Sequence, residues 1–198
     1  MEAGRSLVLA GPEPAILDMA VAGGAGLAVW RRPADPQLAA ALRGGPPVAD
    51  LRLAGAPAVL GRDLDDRTRE RIGPALRADM QALLRRFAIL SGAAELELRL
   101  EAVTGDACWK FHRDMVRLRL LTTYDGPATE YVTARHAERA LQQQRDYRGP
   151  LRRLRPFDVA LFRGARDAGG DAVVHRSPPI AGSGRTRLLF CLTDPGRV

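Results

Sequence analysis

The sequence predicts an α+β protein: a double-stranded β-helix (jelly-roll, cupin-like) barrel with N-terminal helices packed on its outer face. Three observations predict it. Within residues 63–90, Leu76, Met80, Leu83, Leu84, Phe87 and Leu90 recur at three- and four-residue steps, which places one apolar stripe of a helix against a core. From Glu95 the period drops to two, with charged residues alternating with Leu96, Leu98 and Leu100, as in a strand buried on one face. Beyond it, short apolar runs bounded by Gly, Pro or Asp follow one another at the spacing of a β-sandwich or barrel.

Each element has a local reason. Leu27-Ala28-Val29-Trp30 is a short apolar run ended by Arg31-Arg32-Pro33. Asp35-Pro36 starts a helix that runs through Leu42, with Asp35 as cap and Pro36 at the first helical position, and Gly44-Gly45-Pro46-Pro47 stops it. Pro74 separates a short helix from the longer one, which Ser91-Gly92 closes. After the turn at Thr104-Gly105-Asp106, residues 109–114 form a strand and 115–124 a long Leu-rich extended segment. Asp125-Gly126-Pro127 reverses the chain before 129–133. Residues 134–144 make one helical excursion, and 151–154, 159–162, 172–175 and 188–192 are further strands. No repeat or low-complexity linker divides the 198 residues, so 1–198 is one domain, mainly helical over 1–92 and barrel over 93–198. A different α+β sandwich satisfies the same pattern.

Composition narrows the function. The net charge of +7 invites a nucleic-acid reading, but Lys110 is the only lysine and the arginines are scattered from Arg5 to Arg197. The densest cluster, 145–155, has Tyr147 and Phe157 nearby and no nucleic-acid motif, so a solvated basic face is preferred to a nucleic-acid partner. Cys108 and Cys191 fit no disulfide framework or zinc ribbon, which points to a reducing cytoplasm. Residues 6–29 are interrupted by Glu13, Pro14 and Asp18 and make neither a membrane span nor a signal peptide.

The chain has only 3 histidines. His112 opens His112-Arg113-Asp114, and His175 precedes Arg176-Ser177-Pro178-Pro179, with Arg185 and Arg187 beyond. On a strand, residues two apart share a face, so His112 and Asp114 reach one metal together and His175 supplies a third corner. Two imidazoles and a carboxylate suit Fe(II) and leave three positions for exchangeable groups. Arg187, at the mouth of the apolar run 188–192, is the first choice for a guanidinium that clamps a carboxylate, and Arg185 the second. Tyr124 and Thr122 share parity with the metal pair if no bulge intervenes, and become candidate donors to a bound carboxylate. His136 reads as a solvated helix residue and Trp109 as core packing.

These residues carry a resemblance. Phe157-Asp158-Val159-Ala160-Leu161-Phe162 followed by a Gly-rich loop and Val173-Val174-His175 resembles the stretch before the distal histidine of Fe(II)/2-oxoglutarate-dependent dioxygenases. His112-Arg113-Asp114, then 119–124 and Gly126-Pro127-Ala128-Thr129, is similar to the proximal half of that superfamily. The chain resembles more closely a bacterial family known only as a domain of unknown function, which shares Leu27 to Arg31 and the histidine segments. The first resemblance implies Fe(II) and 2-oxoglutarate as cofactors, His112, Asp114 and His175 as ligands, Arg187 as clamp, and a small-molecule or peptide substrate. Two other readings stay open. One is a non-catalytic metal-binding cupin linked to zinc handling, with Cys108 closing a tetrahedral site. The other is a basic nucleic-acid binder.

Overall fold

The computed structural model describes residues 7–33, 35–42 and 50–196. The helix stop at Gly44-Gly45-Pro46-Pro47 and the terminal Arg5 and Arg197 lie outside the described residues. Helix α1 is Ile16–Gly23, α2 is Pro36–Leu42, α3 is Pro57–Thr68 and α4 is Pro74–Ser91. Asp35 accepts the Gln37 N–H at 2.7 Å and so caps α2. Pro74 begins α4, where its missing N–H costs nothing, and Gly92 (φ 60°) ends it by donating its N–H to Ala88 O. Among the described residues no helix is long and apolar enough to cross a membrane.

Seven strands form the main sheet: β1 (Val8–Gly11), β2 (Leu27–Trp30), β3 (Leu51–Gly55), β4 (Leu96–Val103), β5 (Leu118–Asp125), β8 (Val159–Arg163) and β10 (Arg187–Asp194). Their spatial order is β1-β2-β8-β5-β10-β4-β3. A second, three-stranded sheet has the order β7 (Arg152–Arg153), β6 (Glu130–Tyr131), β9 (His175–Arg176). The strand period assigns the two faces of the main sheet. Leu96, Leu98, Leu100, Leu118, Leu120, Phe190 and Leu192 meet the buried stripe Leu76, Met80, Leu83, Leu84 and Phe87 of α4, together with Leu17 of α1 and Leu60 and Leu64 of α3. The other face presents Leu121, Ala160, Phe162, Leu189 and Cys191 to Tyr131, Leu154 and Val173 of the smaller sheet and its flanks. Every residue of β10 is buried, so its two faces belong to two cores, and burying each large side chain stabilises the fold by about 1.5–3 kcal/mol.

The architecture is thus mixed α+β with a large sheet, helices on one face and a small sheet on the other. Closure into a barrel is not seen: among the described residues the two sheets keep separate ladders. Residues 1–92 are mainly helical, with α1 to α4, but they also hold β1, β2 and β3, which supply both edges of the main sheet. Helix α1 links parallel strands β1 and β2, and the alternation of such short segments is too brief to read. The strand expected over 109–114 is a loop, with only His112 bridged to His175. The backbone of Phe111 is engaged instead by the side-chain amide of Gln144, at 2.8 Å to its N–H and 3.1 Å from its carbonyl. Helix α5 (Ala134–Gln143) covers the outer face of the small sheet through Ala137 and Ala140, packed with Phe111, Val132, Tyr147 and Val174.

Candidate metal centre

His112, Asp114 and His175 converge: one ligand atom from each lies within 4.8 Å of the other two, the only such group among the described residues. Two sequence-distant segments are stitched together to achieve this. His112 and His175 exchange both backbone hydrogen bonds at 3.0 Å, and their ring centroids stand 4.6 Å apart. His175 projects to the inner face beside Val173, and its ring lies 4.4 Å from Phe162 of β8. Asp114 is held through its backbone carbonyl, which accepts the Ala165 N–H at 2.7 Å.

Gly164 makes that approach possible, since a Cβ there would sit 2.0 Å from Val116 O and 2.9 Å from Asp114 O. Gly164→Ala is therefore expected to cost about 1–3 kcal/mol in stability and to weaken divalent-metal binding, because backbone has to move under Asp114. Chemical denaturation and metal titration of the same preparation check both effects.

The donor atoms are prepared for a cation. Nδ1 of His112 lies 2.8 Å from Lys110 O and Nδ1 of His175 3.0 Å from Val173 O. A carbonyl can only accept, so each neutral ring carries its proton on Nδ1 and turns the Nε2 lone pair inward. The two Nε2 atoms lie 3.6 Å from Asp114 Oδ1 (His112) and 3.4 Å from Asp114 Oδ2 (His175). Asp114 Oδ2 is buried and accepts no hydrogen bond, an arrangement that disfavours the apo state unless a cation takes the oxygen. Burial pushes the Asp114 carboxyl up, but imidazoles protonated on Nε2 donate to it and, with the Arg119 guanidinium, outweigh burial and hold the group far below the usual carboxylate range. Burial likewise disfavours protonated His112, yet the Asp114 carboxylate and the Lys110 carbonyl raise its pKa above the ordinary value. These residues fit a divalent metal.

Arg187 is 1% exposed. Its guanidinium donates to Ser177 Oγ, to Thr129 Oγ1 at 2.7 Å and to Thr123 Oγ1 at 3.5 Å, while Nε has no partner. Burial pushes its pKa down to about 10. Among the described residues no carboxylate pairs with it, and hydroxyls cannot neutralise a buried cation.

Other expected site residues lie elsewhere. Arg185 is exposed and does not reach the buried slot, because it precedes β10 in a turn of surface residues. Tyr124 and Thr122 belong to the opposite face. The pairing of β10 with β5 shifts register between Leu188 and Leu189, and the two-residue period places Tyr124 in the helix-side core. There its hydroxyl donates to Asp79 Oδ2 at 2.7 Å, and Arg32 binds the same carboxylate. The site face of β5 instead carries Arg119 and Thr123, which sequence reasoning missed. Their signal was odd parity on β5 relative to Leu118 and Leu120, which face the helices. Cys108 is exposed and outside the cluster, so the zinc reading loses its fourth ligand. His136 is partly buried on α5 and takes the Arg135 Nε–H at 2.9 Å. In the basic cluster Arg145, Arg153 and Arg155 pair with Asp106, Glu130 and Asp158.

The chain belongs to the family described as "Protein of unknown function (DUF1826)", whose match spans residues 11–193. No curated protein matches the sequence significantly. Solved structures with some likeness include the dioxygenase for auxin oxidation 1 from Arabidopsis thaliana in a binary complex with 2-oxoglutarate, at 12% identity and TM-score 0.49, covering 96% of this chain and 92% of that one. A Pseudomonas putida prolyl-4-hydroxylase matches at 18% identity and TM-score 0.37, covering 84% and 98%. HygX from Streptomyces hygroscopicus, with nickel and 2-oxoglutarate bound, matches at 13% and 0.39, covering 85% and 82%. All three TM-scores lie below 0.5.

Proposed function

We propose that the protein is a non-haem Fe(II)- and 2-oxoglutarate-dependent oxygenase of double-stranded β-helix type, hydroxylating a small-molecule or peptide substrate. One observation carries the reading: a two-histidine, one-carboxylate cluster is accompanied by a buried guanidinium that donates to Ser177, two residues past His175, and pairs with no carboxylate among the described residues. His112 Nε2, His175 Nε2 and Asp114 Oδ2 would hold the metal. Bound iron supplies activation of dioxygen and the oxidative decarboxylation of 2-oxoglutarate to succinate.

The chain's own residues do the rest. Arg187 receives the far carboxylate of the cosubstrate, with the Ser177 and Thr129 hydroxyls fixing the guanidinium plane. Ser177 stands two residues past His175, roughly 6–7 Å along extended chain, comparable with the length of a five-carbon dicarboxylate. Phe162, Val173, Leu121 and Leu189 pack in the apolar core beside the His175 ring, which keeps that side of the cluster dry. Substrate approaches from the His112 side, whose side chain is 35% exposed while that of Asp114 is 4%.

The test is Fe(II)-dependent conversion of 2-oxoglutarate to succinate. Wild-type protein is expected to turn over, and His112→Ala, with an unchanged melting temperature, is expected not to. Well-folded wild type that neither binds metal nor forms succinate overturns the reading.

A further inference from the structure

Arg119 stands in the middle of the main sheet, paired through its backbone with Thr193 of β10 on one side and Phe162 of β8 on the other. Its side chain projects to the site face and is anchored twice: Nε donates to Thr193 Oγ1 at 3.3 Å and Nη1 to Asp114 Oδ1. The same row of the sheet therefore carries Phe162, which supports the His175 ring, and the cation that grips the third ligand. Asp114 is left with two unequal oxygens. Oδ1 is taken by a charged donor fixed in the sheet, and Oδ2 is buried without a partner.

A carboxylate can bind a metal through one oxygen or through both. With both, Asp114 and two imidazoles would fill four of six positions, leaving two, too few for a chelating keto acid and dioxygen together. With one, three remain open. We infer that Arg119 is a positioning residue that reserves Asp114 Oδ1 and so confines Asp114 to a single metal bond, keeping three positions exchangeable. The inference rests on the metal-site reading above and concerns how that site is kept open. It assigns a task to a residue that lies on a different element from the three ligands.

The experiment counts metal-bound water directly. Water-proton relaxivity of the Mn(II) complex is proportional to the number of exchanging waters, and it is measured for wild type, Arg119→Met and Arg119→Lys. Arg119→Met frees Oδ1, so relaxivity is expected to fall by roughly a third, as three open positions become two. Its Mn(II) affinity is expected to stay within about threefold of wild type or to tighten, because a cation that repels the metal has gone. Arg119→Lys keeps a charged donor and is expected to restore the wild-type relaxivity.

Unchanged relaxivity in Arg119→Met overturns the inference, as does a fall of equal size in Arg119→Lys. An Arg119→Met protein that loses Mn(II) as completely as His112→Ala also overturns it, since Arg119 then assembles the cluster instead of setting its bonding. Should Arg119→Met fail to fold, Thr193→Val releases Arg119 Nε and is expected to lower relaxivity by a smaller amount; no change there is equally fatal. Wild type that binds no Mn(II) removes the metal-site reading and this inference together, whereas wild-type binding with an indifferent Arg119→Met removes this inference alone.

Discussion

Alanine at His175 is expected to weaken Mn(II) or Co(II) binding by at least about a hundredfold, beyond the 10–100-fold typical of losing an outer partner of a metal ligand. Alanine at His112 is expected to do the same. The two variants should part company in stability. His175 is 4% exposed and its ring packs 4.4 Å from Phe162, so truncation opens a cavity costing about 2 kcal/mol. The His112 side chain is 35% exposed, and its removal leaves little empty space. Calorimetric titration with thermal melts separates the effects. Wild-type affinity is also expected to fall as pH drops, since His112, with its raised pKa, gives up its proton to the metal only reluctantly. Retention of wild-type affinity in His112→Ala is the outcome that contradicts the site.

Methionine in place of Arg187 is expected to make the protein more stable and less able to bind its cosubstrate. The guanidinium is 1% exposed, its donors meet only hydroxyls, and its Nε meets nothing. Replacing a buried charge of this kind by an apolar side chain of similar length is commonly neutral or stabilising by about 1–4 kcal/mol. The same change removes two charge-assisted hydrogen bonds to a carboxylate, each worth about 1.5–3 kcal/mol, so 2-oxoglutarate affinity of the metal-loaded protein should fall by roughly 10²–10⁴-fold. Metal affinity itself should hardly move. Denaturant titration and 2-oxoglutarate titration of the Mn(II) form give the two numbers. A destabilised Arg187→Met protein with unchanged 2-oxoglutarate binding would show that the residue serves the core and not a ligand.

What the sequence made legible follows from range. Helix α4 and strand β4 announce themselves because periods of 3.6 and 2 persist over many residues. Cap chemistry placed α2 and the end of α4 to within a residue. The pairing of β1 with β2 was hidden, since four-residue strands carry too few side chains to show alternation. The cluster of His112, Asp114 and His175 could be named from residue types and order, yet the shared direction of His112 and Asp114 does not come from a strand. They are placed by a loop that Gln144 and the Gly164 contact hold in position.

Parity reasoning failed at Tyr124 and Thr122 because it was carried from a loop into a strand, where the count restarts. Counting instead from Leu118 and Leu120, the helix-side leucines of β5, puts Arg119, Leu121 and Thr123 on the site face. The burial of Arg187 was legible from the apolar run that follows it, but that hydroxyls alone would meet it was not, because they come from β5, the segment before β6 and the segment after β9.

The central claim is that two imidazole nitrogens and one aspartyl oxygen hold a divalent metal between the sheets. A crystal structure of the protein grown with Mn(II), read by anomalous scattering, tests it most directly. The account expects one strong peak bonded to His112 Nε2, His175 Nε2 and Asp114 Oδ2, with Arg119 still on Oδ1. No peak at millimolar Mn(II), or a peak held by other side chains, would contradict it.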